Sequence, residues 1–177
     1  GPIQGTGSNL DLYTGALALD ASYNVFATKD NNLLFDSGSD YIDFTNDNRG
    51  LDKEVSVAAW IKTPRASGLQ NIVLDYGARD AGFILRMVDN QKVEMSGRDG
   101  TNTYRASGIS TTNVANNQWH YIVGTANLNT GVWSIYVDGL LENSSTTSAG
   151  SSLANTDELY IGNTFSTSNS FKGEISN

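Results

Sequence analysis

The sequence predicts an all-β protein, folded as a sandwich of two packed antiparallel sheets. Apolar residues recur at a period of two along most of the chain, and no window sustains the 3.6-residue period of an amphipathic helix. The composition agrees, because Gly, Ser, Thr and Asn are abundant while the helix formers Lys, Glu and Gln are scarce. About a dozen short strand candidates, separated by turn signals, need two layers to bury their apolar sides.

The strongest local signal is a hairpin formed by residues 118–139. Its alternating apolar sets are Trp119, Tyr121 and Val123 in the first strand and Trp133, Ile135 and Val137 in the second. The connecting residues 127–131 read Asn-Leu-Asn-Thr-Gly and tolerate the positive φ of a tight turn. We expect Trp60, Trp119 and Trp133 to be buried, because each belongs to a regular strand alternation beside other apolar residues.

The remaining strand candidates follow in order along the chain. They are residues 16–20, 23–27, 33–35, 41–44, 55–62, 71–75, 82–88, 93–95, 103–109, 158–162 and 171–175. The segment 55–62 has apolar residues on both sides, which is typical of a strand covered on both faces, and Pro64 ends it. The Ser- and Thr-rich segment 143–155 is expected to be a loop between strands.

Length and charge limit the function classes. The 177 residues are predicted to form one domain, 1–177, which is large enough to build a core without disulfides, and the chain has no Cys. The net charge of −8 argues against nucleic acid or an anionic membrane surface as a partner, since both bind basic surfaces. No apolar run approaches the ~20 residues that span a bilayer, so no membrane insertion is expected. Residues 1–13 are interpreted as a tag remnant and an N-terminal arm, and we expect a monomer.

The order of the motifs resembles one known family. The strongest matches are Trp119-His120, the YVDG sequence at 136–139 and the FKGEI sequence at 171–175, preceded by LLFDSGSDYIDF and EVSVAAWIKT. Together they resemble the laminin-G-like domains of the concanavalin-A-like lectin/glucanase superfamily, in the form common in bacterial exported proteins. The resemblance runs from about residue 16 to the end of the chain and implies a jelly-roll β-sandwich.

This resemblance implies a binding function more than a catalytic one. The fold hosts lectins, polysaccharide-binding modules, adhesins, lyases and glycosidases, so it does not assign a function by itself. We expect a non-catalytic carbohydrate-binding module of a larger exported bacterial protein, secreted or at the cell surface, whose partner is a polysaccharide or glycan. Two alternatives stay open. One is a structural or adhesion domain that contacts a surface protein, and the other is a polysaccharide lyase or glycosidase with a degenerate motif.

The residues needed for glycosidase chemistry are not visible in the sequence. Hydrolysis of a glycosidic bond needs two carboxyl groups ~5–9.5 Å apart, and no strand carries such closely spaced acids. Asp36, Asp40 and Asp43 belong to a turn and its flank. His120 is the one histidine and lies inside a structural Trp-His-Tyr motif, so we expect it to support the fold.

A calcium site is implied by the resemblance, because members of the superfamily often bind a structural Ca²⁺ near the seam between early and final strands. Ca²⁺ takes six to eight oxygen ligands. The polar knot at residues 36–40 can supply several, with Asp36, Ser39 and Asp40 as candidates, and Glu174 can add one if the last strand pairs nearby. The alternative is an Asx-type turn, in which an Asp side chain binds nearby backbone.

A sugar site needs exposed aromatic rings for stacking and polar side chains for hydroxyl groups. The predicted ligand-binding residues are Tyr76, Arg79, Arg98, Asn102, Tyr104 and Arg105. Most of them lie in the long polar segment 98–105, whose two Arg suit an acidic or sulfated sugar. The alternative is a solvated loop with one ring that covers the edge of the core.

Overall fold

The computed structural model describes residues 25–27, 32–36, 38, 40–44, 51–76, 81–88, 90–155, 158–163 and 169–176. Within these ranges the chain forms thirteen strands and no α-helix. The strands are β1 (Val25–Ala27), β2 (Leu33–Phe35), β3 (Ile42–Phe44), β4 (Glu54–Lys62), β5 (Gln70–Tyr76), β6 (Gly82–Val88), β7 (Lys92–Arg98), β8 (Tyr104–Ala106), β9 (His120–Asn127), β10 (Val132–Val137), β11 (Leu140–Thr146), β12 (Leu159–Ile161) and β13 (Gly173–Ser176). The predicted all-β class is therefore confirmed, and the candidate strand at 16–20 lies outside the described residues.

The strands form two antiparallel sheets. One sheet has seven strands in the order β1-β2-β13-β4-β9-β10-β11, and the other has six in the order β3-β12-β5-β6-β7-β8. The last strand, β13, lies between β2 and β4 in the larger sheet and pairs with both. This pairing confirms the last predicted strand and places it beside an early one.

The core lies between the two sheets and takes residues from nearly every described strand. Its largest fully buried side chains include Phe35, Ile61, Met95, Trp133 and Phe171. Phe35 and Phe171 meet edge to face, with ring centroids 6.2 Å apart. Full burial of one such side chain contributes roughly 1.5–3 kcal/mol, so this cluster supplies much of the stability.

The β9–β10 hairpin presents its two apolar sets to opposite sides. Trp133 lies opposite Ala126, and Ile135 lies opposite Gly124, and all four are buried in the core side of the sheet. A side chain at Gly124 would meet Met95, whose Sδ lies 2.8 Å from the position of an added Cβ. The smaller residues of β9 therefore face the core, because the opposite sheet leaves no room for large ones there.

Because the small residues of β9 face the core, its bulky residues face the solvent. On β4, too, a bulky residue faces the solvent while its neighbours along the strand face the core. Trp133 is fully buried as expected, but Trp60 is 41% exposed and Trp119 is only partly buried. Ala59 and Ile61 flank Trp60 and occupy the core. The expectation of burial is thus wrong for Trp60, because a strand that is apolar on both sides does not reveal which side is inner.

The segment 143–155 is only partly a loop. Its first residues belong to β11, an edge strand that pairs with β10, so the predicted loop is wrong for residues 143–146. Ser144 Oγ lies 2.9 Å from Ser134 Oγ on the neighbouring strand. Because β11 is mostly exposed, it lacks the apolar alternation that would predict a strand.

Candidate functional site

The outer surface of the seven-stranded sheet carries exposed aromatic rings, and we call it the Trp60 face. Trp60 lies between Ser176 on β13 and Tyr121 on β9 in the strand register. The rings of Trp60 and Tyr121 are 5.1 Å apart between centroids and tilted by 39°. Opposite residues of an antiparallel pair share one side of the sheet, so these side chains form a continuous surface.

A pocket opens at one end of the Trp60 face. It has a volume of about 410 Å³ and is lined by Asn32, Trp60, Trp119 and Ser176. The residues that line it, two tryptophans, one asparagine and one serine, border a shallow depression that is wide open to solvent. This combination of apolar walls and a few polar groups suits a ligand with both apolar and hydroxyl-bearing sides.

An ion pair borders this pocket. Lys62 Nζ lies 3.0 Å from Glu174 Oε1, and Asn32 Nδ2 donates to Glu174 Oε2 at 3.3 Å. The same ammonium lies 5.9 Å from the centroid of the Trp119 ring, within the range of a cation–π contact. The pair offers both donors and acceptors at the rim while adding no net charge.

The outer surface of the six-stranded sheet, with the loop at its edge, holds three of the six predicted ligand-binding residues, Arg98, Asn102 and Tyr104, and we call it the Tyr104 face. Tyr76 lies opposite Gly82, Gly82 opposite Arg98, and Arg98 opposite Tyr104 in the strand register. The structure therefore brings Tyr76, Arg98 and Tyr104 into one row across four strands. The side chain of Tyr76 and the whole of Arg79 lie outside the described residues.

The polar groups of the Tyr104 face bind one another. Arg98 Nη1 donates to the carbonyl oxygen of Asn102 at 3.1 Å and also to its side-chain oxygen. Arg86 Nε donates to Glu94 Oε1 at 2.8 Å, and Arg86 Nη2 donates to Tyr104 Oη at 3.2 Å. Tyr104 is 51% exposed, but its hydroxyl group and both guanidinium groups already have protein partners.

Arg105 occupies a different position from the exposed one expected from the sequence. Its side chain is buried, and its Nε donates to Asp99 Oδ2 at 2.9 Å while Nη1 donates to Thr147 Oγ1 at 2.5 Å. Nη1 also donates to the carbonyl oxygen of Ser148. Arg105 is on the core side of β8, opposite Gly97, so its guanidinium is directed into the protein, where it joins two loops.

Asp99 is the partner that makes this burial possible. Burial raises the pKa of its carboxyl group, but hydrogen bonds from Thr101, Arg105 and Thr103 outweigh that effect and lower the pKa to about 2. Asp99 accepts from the Thr101 hydroxyl at 2.6 Å and from the Thr101 and Thr103 backbone nitrogens at 3.0 and 3.2 Å. The segment 98–105 is therefore held by an ionised carboxylate and its donors.

The predicted calcium ligands Asp36, Asp40 and Glu174 lie among the described residues. Asp36 is exposed, and its backbone nitrogen donates to Asp40 Oδ2 at 2.8 Å. Glu174 lies on the Trp60 face with Lys62, and Ser39 lies outside the described residues. Among the residues that the structure describes, no three His, Cys, Asp or Glu side chains cluster as metal ligands.

One residue near this knot was not predicted from the sequence. Asn163 Nδ2 donates to the carbonyl oxygen of Gly38 at 2.9 Å, while Asn163 Oδ1 is buried and has no hydrogen-bond partner. Asn163 follows the LYIG strand and is distant from the knot in sequence, so no local pattern marks it. An unpartnered buried oxygen is costly, and a cation would stabilise it.

A buried acid lies on another part of the six-stranded sheet. Burial, together with the charge of Glu158, raises the pKa of Asp43, whose Oδ1 is buried without a hydrogen-bond partner. Tyr160 lies opposite Asp43 and donates to Glu158 Oε2 at 3.0 Å. Burial and this hydrogen bond raise the pKa of Tyr160. These groups pack against one another in the fold, and Asp43 is buried beneath the surface.

His120 has two side-chain partners. Its Nδ1 lies 2.8 Å from Asp138 Oδ2, and its Nε2 lies 3.1 Å from Asn116 Oδ1. Asp138 Oδ1 also accepts from the backbone nitrogen of Tyr121 at 2.8 Å. The ring therefore links the start of β9 to the turn that follows β10, as a structural residue does.

Comparison with known proteins gives one family and several similar folds. The family model described as the concanavalin A-like lectin/glucanases superfamily matches residues 36–177. Domains LG4-5 of the mouse laminin α1 chain are similar with a TM-score of 0.64 and 16% identity, over 79% of this chain and 38% of that one. The binding domain of Paraclostridial Mosquitocidal Protein 1 is similar with a TM-score of 0.64 and 16% identity, over 94% and 43%.

A third similar structure contains a sugar. It is domain 4 of an extracellular GH43 arabinanase from Geobacillus stearothermophilus, solved with arabinotriose, at a TM-score of 0.64 and 16% identity. The alignment covers 86% of this chain and 71% of that domain. Several of the similar structures are binding domains, and at these identities the likeness shows the jelly-roll fold alone.

The chain matches only part of these structures. The chain spans only 38% of the laminin chain and 43% of the toxin domain to which it is similar. A search of curated proteins gave no match to this sequence. None of the described segments forms a helix with the length and apolarity needed to cross a membrane.

Proposed function

Since the chain belongs to the concanavalin A-like lectin/glucanase superfamily, we propose that it is a non-catalytic carbohydrate-binding domain. Its ligand is a polysaccharide or glycan, bound at the Trp60 face. The observation that carries the proposal is the exposed ring of Trp60 beside a pocket that Trp119 also lines. The superfamily by itself does not assign this function, because the fold hosts several unrelated activities.

The physical basis is the two-sided character of a sugar ring. The C–H face of a sugar buries apolar area against an indole, at roughly 25 cal/mol per Å² removed from water. Its hydroxyl groups then need hydrogen-bond partners, which Asn32, Ser176 and the Lys62–Glu174 pair can supply. Trp60, Trp119 and Tyr121 together give this face neighbouring aromatic rings, and a cluster of this kind marks a binding surface more than a single exposed ring does.

The similar structures support a binding role and suggest its context. One is a domain of an extracellular arabinanase bound to arabinotriose, and others are receptor-binding domains of toxins. By analogy, we place this domain in a larger exported bacterial protein, secreted or at the cell surface, as a monomer. If the parent protein is an enzyme, its catalysis lies in another domain.

Affinity electrophoresis tests the proposal. The full chain is run through native gels that contain arabinan, xylan, mixed-linkage β-glucan or galactomannan, next to gels without polymer. We expect at least one polymer to retard the protein and the Tyr104→Ala variant, but not Trp60→Ala. Absence of retardation by every glycan, together with tight binding of a protein partner, would contradict the proposal.

A second candidate function has one specific observation in its favour. Leu140 and Leu141 follow the β10–β11 turn and are 69% and 57% exposed. Two large apolar side chains at the tip of a hairpin suit contact with a protein, as in an adhesion domain. Substitution of Leu140 by Ser should then abolish binding of a surface protein and leave polysaccharide retardation unchanged.

We also propose that the knot at residues 36–40 binds Ca²⁺ as a structural ion. Its support is the buried, unpartnered Oδ1 of Asn163, whose side chain reaches Gly38. A metal bound only by the folded protein raises the unfolding midpoint, so excess chelator should lower it and added Ca²⁺ should restore it. An Asn163→Ala variant should lose this response, and an unchanged midpoint in the original protein would refute the site.

A further inference from the structure

We propose that the Trp60 face binds an internal segment of a neutral polysaccharide. The polysaccharide crosses the strands of the sheet, and the site does not hold either of the polysaccharide's ends. This inference rests on the proposed function and specifies the ligand of the same site. Three features of the face carry it: a second apolar row, an open edge and a balanced charge.

The second apolar row runs beside Trp60 across four strands. Ala58 lies two residues before Trp60 on β4 and therefore faces the same side of the sheet. Ala58 is opposite Val123, Val123 is opposite Tyr136, and Tyr136 is opposite Leu141. The aromatic surface thus continues from the pocket, through Tyr136, to the edge of the sheet.

The length of this surface suits several sugar residues. Neighbouring strands lie ~4.8 Å apart, which is similar to the length of one sugar residue in an extended chain. From Ser176 on β13 to Leu141 on β11 there are five adjacent strands, so the surface is ~19 Å long and holds about four sugars. Trp60 and Tyr136 then serve different positions along the ligand.

The far end of the surface is open. β11 is the edge strand of the seven-stranded sheet, and Leu141 on it is 57% exposed. A polysaccharide that crosses the face can therefore continue past Leu141 without meeting another strand of the described part of the chain. A site for chain ends would instead surround the terminal sugar, as an enclosed pocket does.

The charges of the protein favour a polysaccharide without charged groups. Lys62 and Glu174 neutralise each other, so the rim presents hydrogen-bonding groups without attracting an anion. The whole chain carries a net charge of −8 and repels polyanions at long range. The acidic or sulfated sugar expected from Arg98 and Arg105 is not favoured here, because Arg105 is paired with Asp99 and Arg98 with Asn102.

Titration calorimetry with oligosaccharides of increasing length tests the inference. Arabino-, xylo- and cello-oligosaccharides of two to six residues are used, both as such and with the reducing end converted to an alditol. We expect at least a tenfold gain in affinity from two to four residues, no further gain beyond four or five, and equal binding of the alditols. Tyr136→Ala should weaken binding of the tetramer about tenfold and leave the dimer unchanged, while the matched Thr125→Ala variant should change neither.

The contradicting results can be separated from failure of the proposed function. If Trp60→Ala abolishes binding but dimer and tetramer bind equally, the glycan site stands and its extension across the strands is refuted. Preference for one chain end, or stronger retardation by heparin than by neutral polymers, would also overturn the inference. Concentration-dependent dimers in sedimentation, lost in Leu141→Ser, would show that a second copy of the chain covers the face.

Discussion

The two outer surfaces of the sandwich differ in how their aromatic groups are engaged. On the Tyr104 face, guanidinium, carboxylate and phenol groups hydrogen-bond to one another, as in the Arg86–Glu94–Tyr104 cluster. On the Trp60 face, two indole rings border a pocket and one of them is 41% exposed. Polar groups have protein partners on both faces, as the Asn32, Lys62 and Glu174 contacts show, so the difference lies in the aromatic rings. The Trp60 face has two indole rings beside one depression, and stacking on them displaces only water.

The comparison shows that residue type alone does not identify a sugar site. The segment 98–105 has Arg, Asn and Tyr in the pattern of a sugar-binding loop, and its Arg98 and Arg105 bind Asn102 and Asp99 within the same segment. The strands around Trp60 look like core in the sequence, and their outer side is the surface that we propose for binding. The following predictions test this contrast, from the largest expected effect to the smallest.

The largest expected effect concerns the buried pair below the Tyr104 face. Asp99→Ala leaves the Arg105 guanidinium buried without its partner, which should lower the free energy of unfolding by about 3–5 kcal/mol. Chemical denaturation measures this loss. Asp99→Asn keeps an acceptor and should lose less, whereas equal stability of Asp99→Ala and the original protein would show that the pair is not structural.

The next effect is the loss of glycan affinity on the Trp60 face. Trp60→Ala removes a stacking ring and should weaken binding of a retained polysaccharide by about 2 kcal/mol, or ~30-fold. Because Trp60 still buries more than half of its surface and packs against Tyr121, the unfolding free energy should also fall, by about 1–3 kcal/mol, and affinity is compared under conditions where the variant is folded. Trp60→Phe should retain part of the affinity, and an Ala variant with full affinity would place the sugar elsewhere.

Acid stability gives an effect of similar or smaller size. The pKa of Asp99 is lowered to about 2 from 3.8, so its contribution is present above pH 4 and is lost as the pH falls towards 2. In Asp99→Asn, the fall in the free energy of unfolding between pH 4 and pH 2 should be about 2 kcal/mol smaller than in the original protein. The pKa of Asp43 is raised, so its protonation favours the native state and Asp43→Asn should steepen the acid loss. If the free energy of unfolding depended on pH in the same way in the original protein, Asp99→Asn and Asp43→Asn, both pKa shifts would be contradicted.

The smallest effect is expected where the sequence first suggested a site. Arg98→Ala and Tyr104→Ala should change polysaccharide affinity less than twofold, since their polar groups bind Asn102, Arg86 and Glu94. Measured beside Trp60→Ala in the same gels, they are matched surface controls. A tenfold loss in either variant would reverse the ranking of the two faces.

Much of the fold could be predicted from the sequence because its signals are local. Alternation in 55–62 and 82–88 and the turn residues at 127–131 correspond directly to β4, β6 and the β9–β10 turn. β11 was missed because an exposed edge strand needs no apolar alternation. The sequence does not show which side of β9 faces the core, because this depends on Met95. Met95 is distant in sequence and leaves no space for a side chain at Gly124.

The candidate site was harder to predict for the same reason. The pocket joins Asn32, Trp60, Trp119 and Ser176, which come from four separate segments. Their proximity depends on β13 inserting between β2 and β4, a pairing that no local pattern specifies. Tyr76, Arg98 and Tyr104 do share a row across the strands. The hydrogen bonds of Tyr104 to Arg86 and Glu94 and of Arg98 to Asn102 could not be predicted from the sequence.

The most direct test is ¹⁹F NMR of the protein labelled with 5-fluorotryptophan. The chain has three tryptophans, so three signals are expected, each assigned with one Trp→Phe variant. The Trp60 signal should respond to a soluble paramagnetic agent and that of Trp133 should not, and a retained oligosaccharide should shift Trp60 and Trp119 with one common dissociation constant. A sugar that binds while both of these signals stay fixed, or a Trp60 signal shielded from the agent without ligand, would contradict the assignment of the Trp60 face.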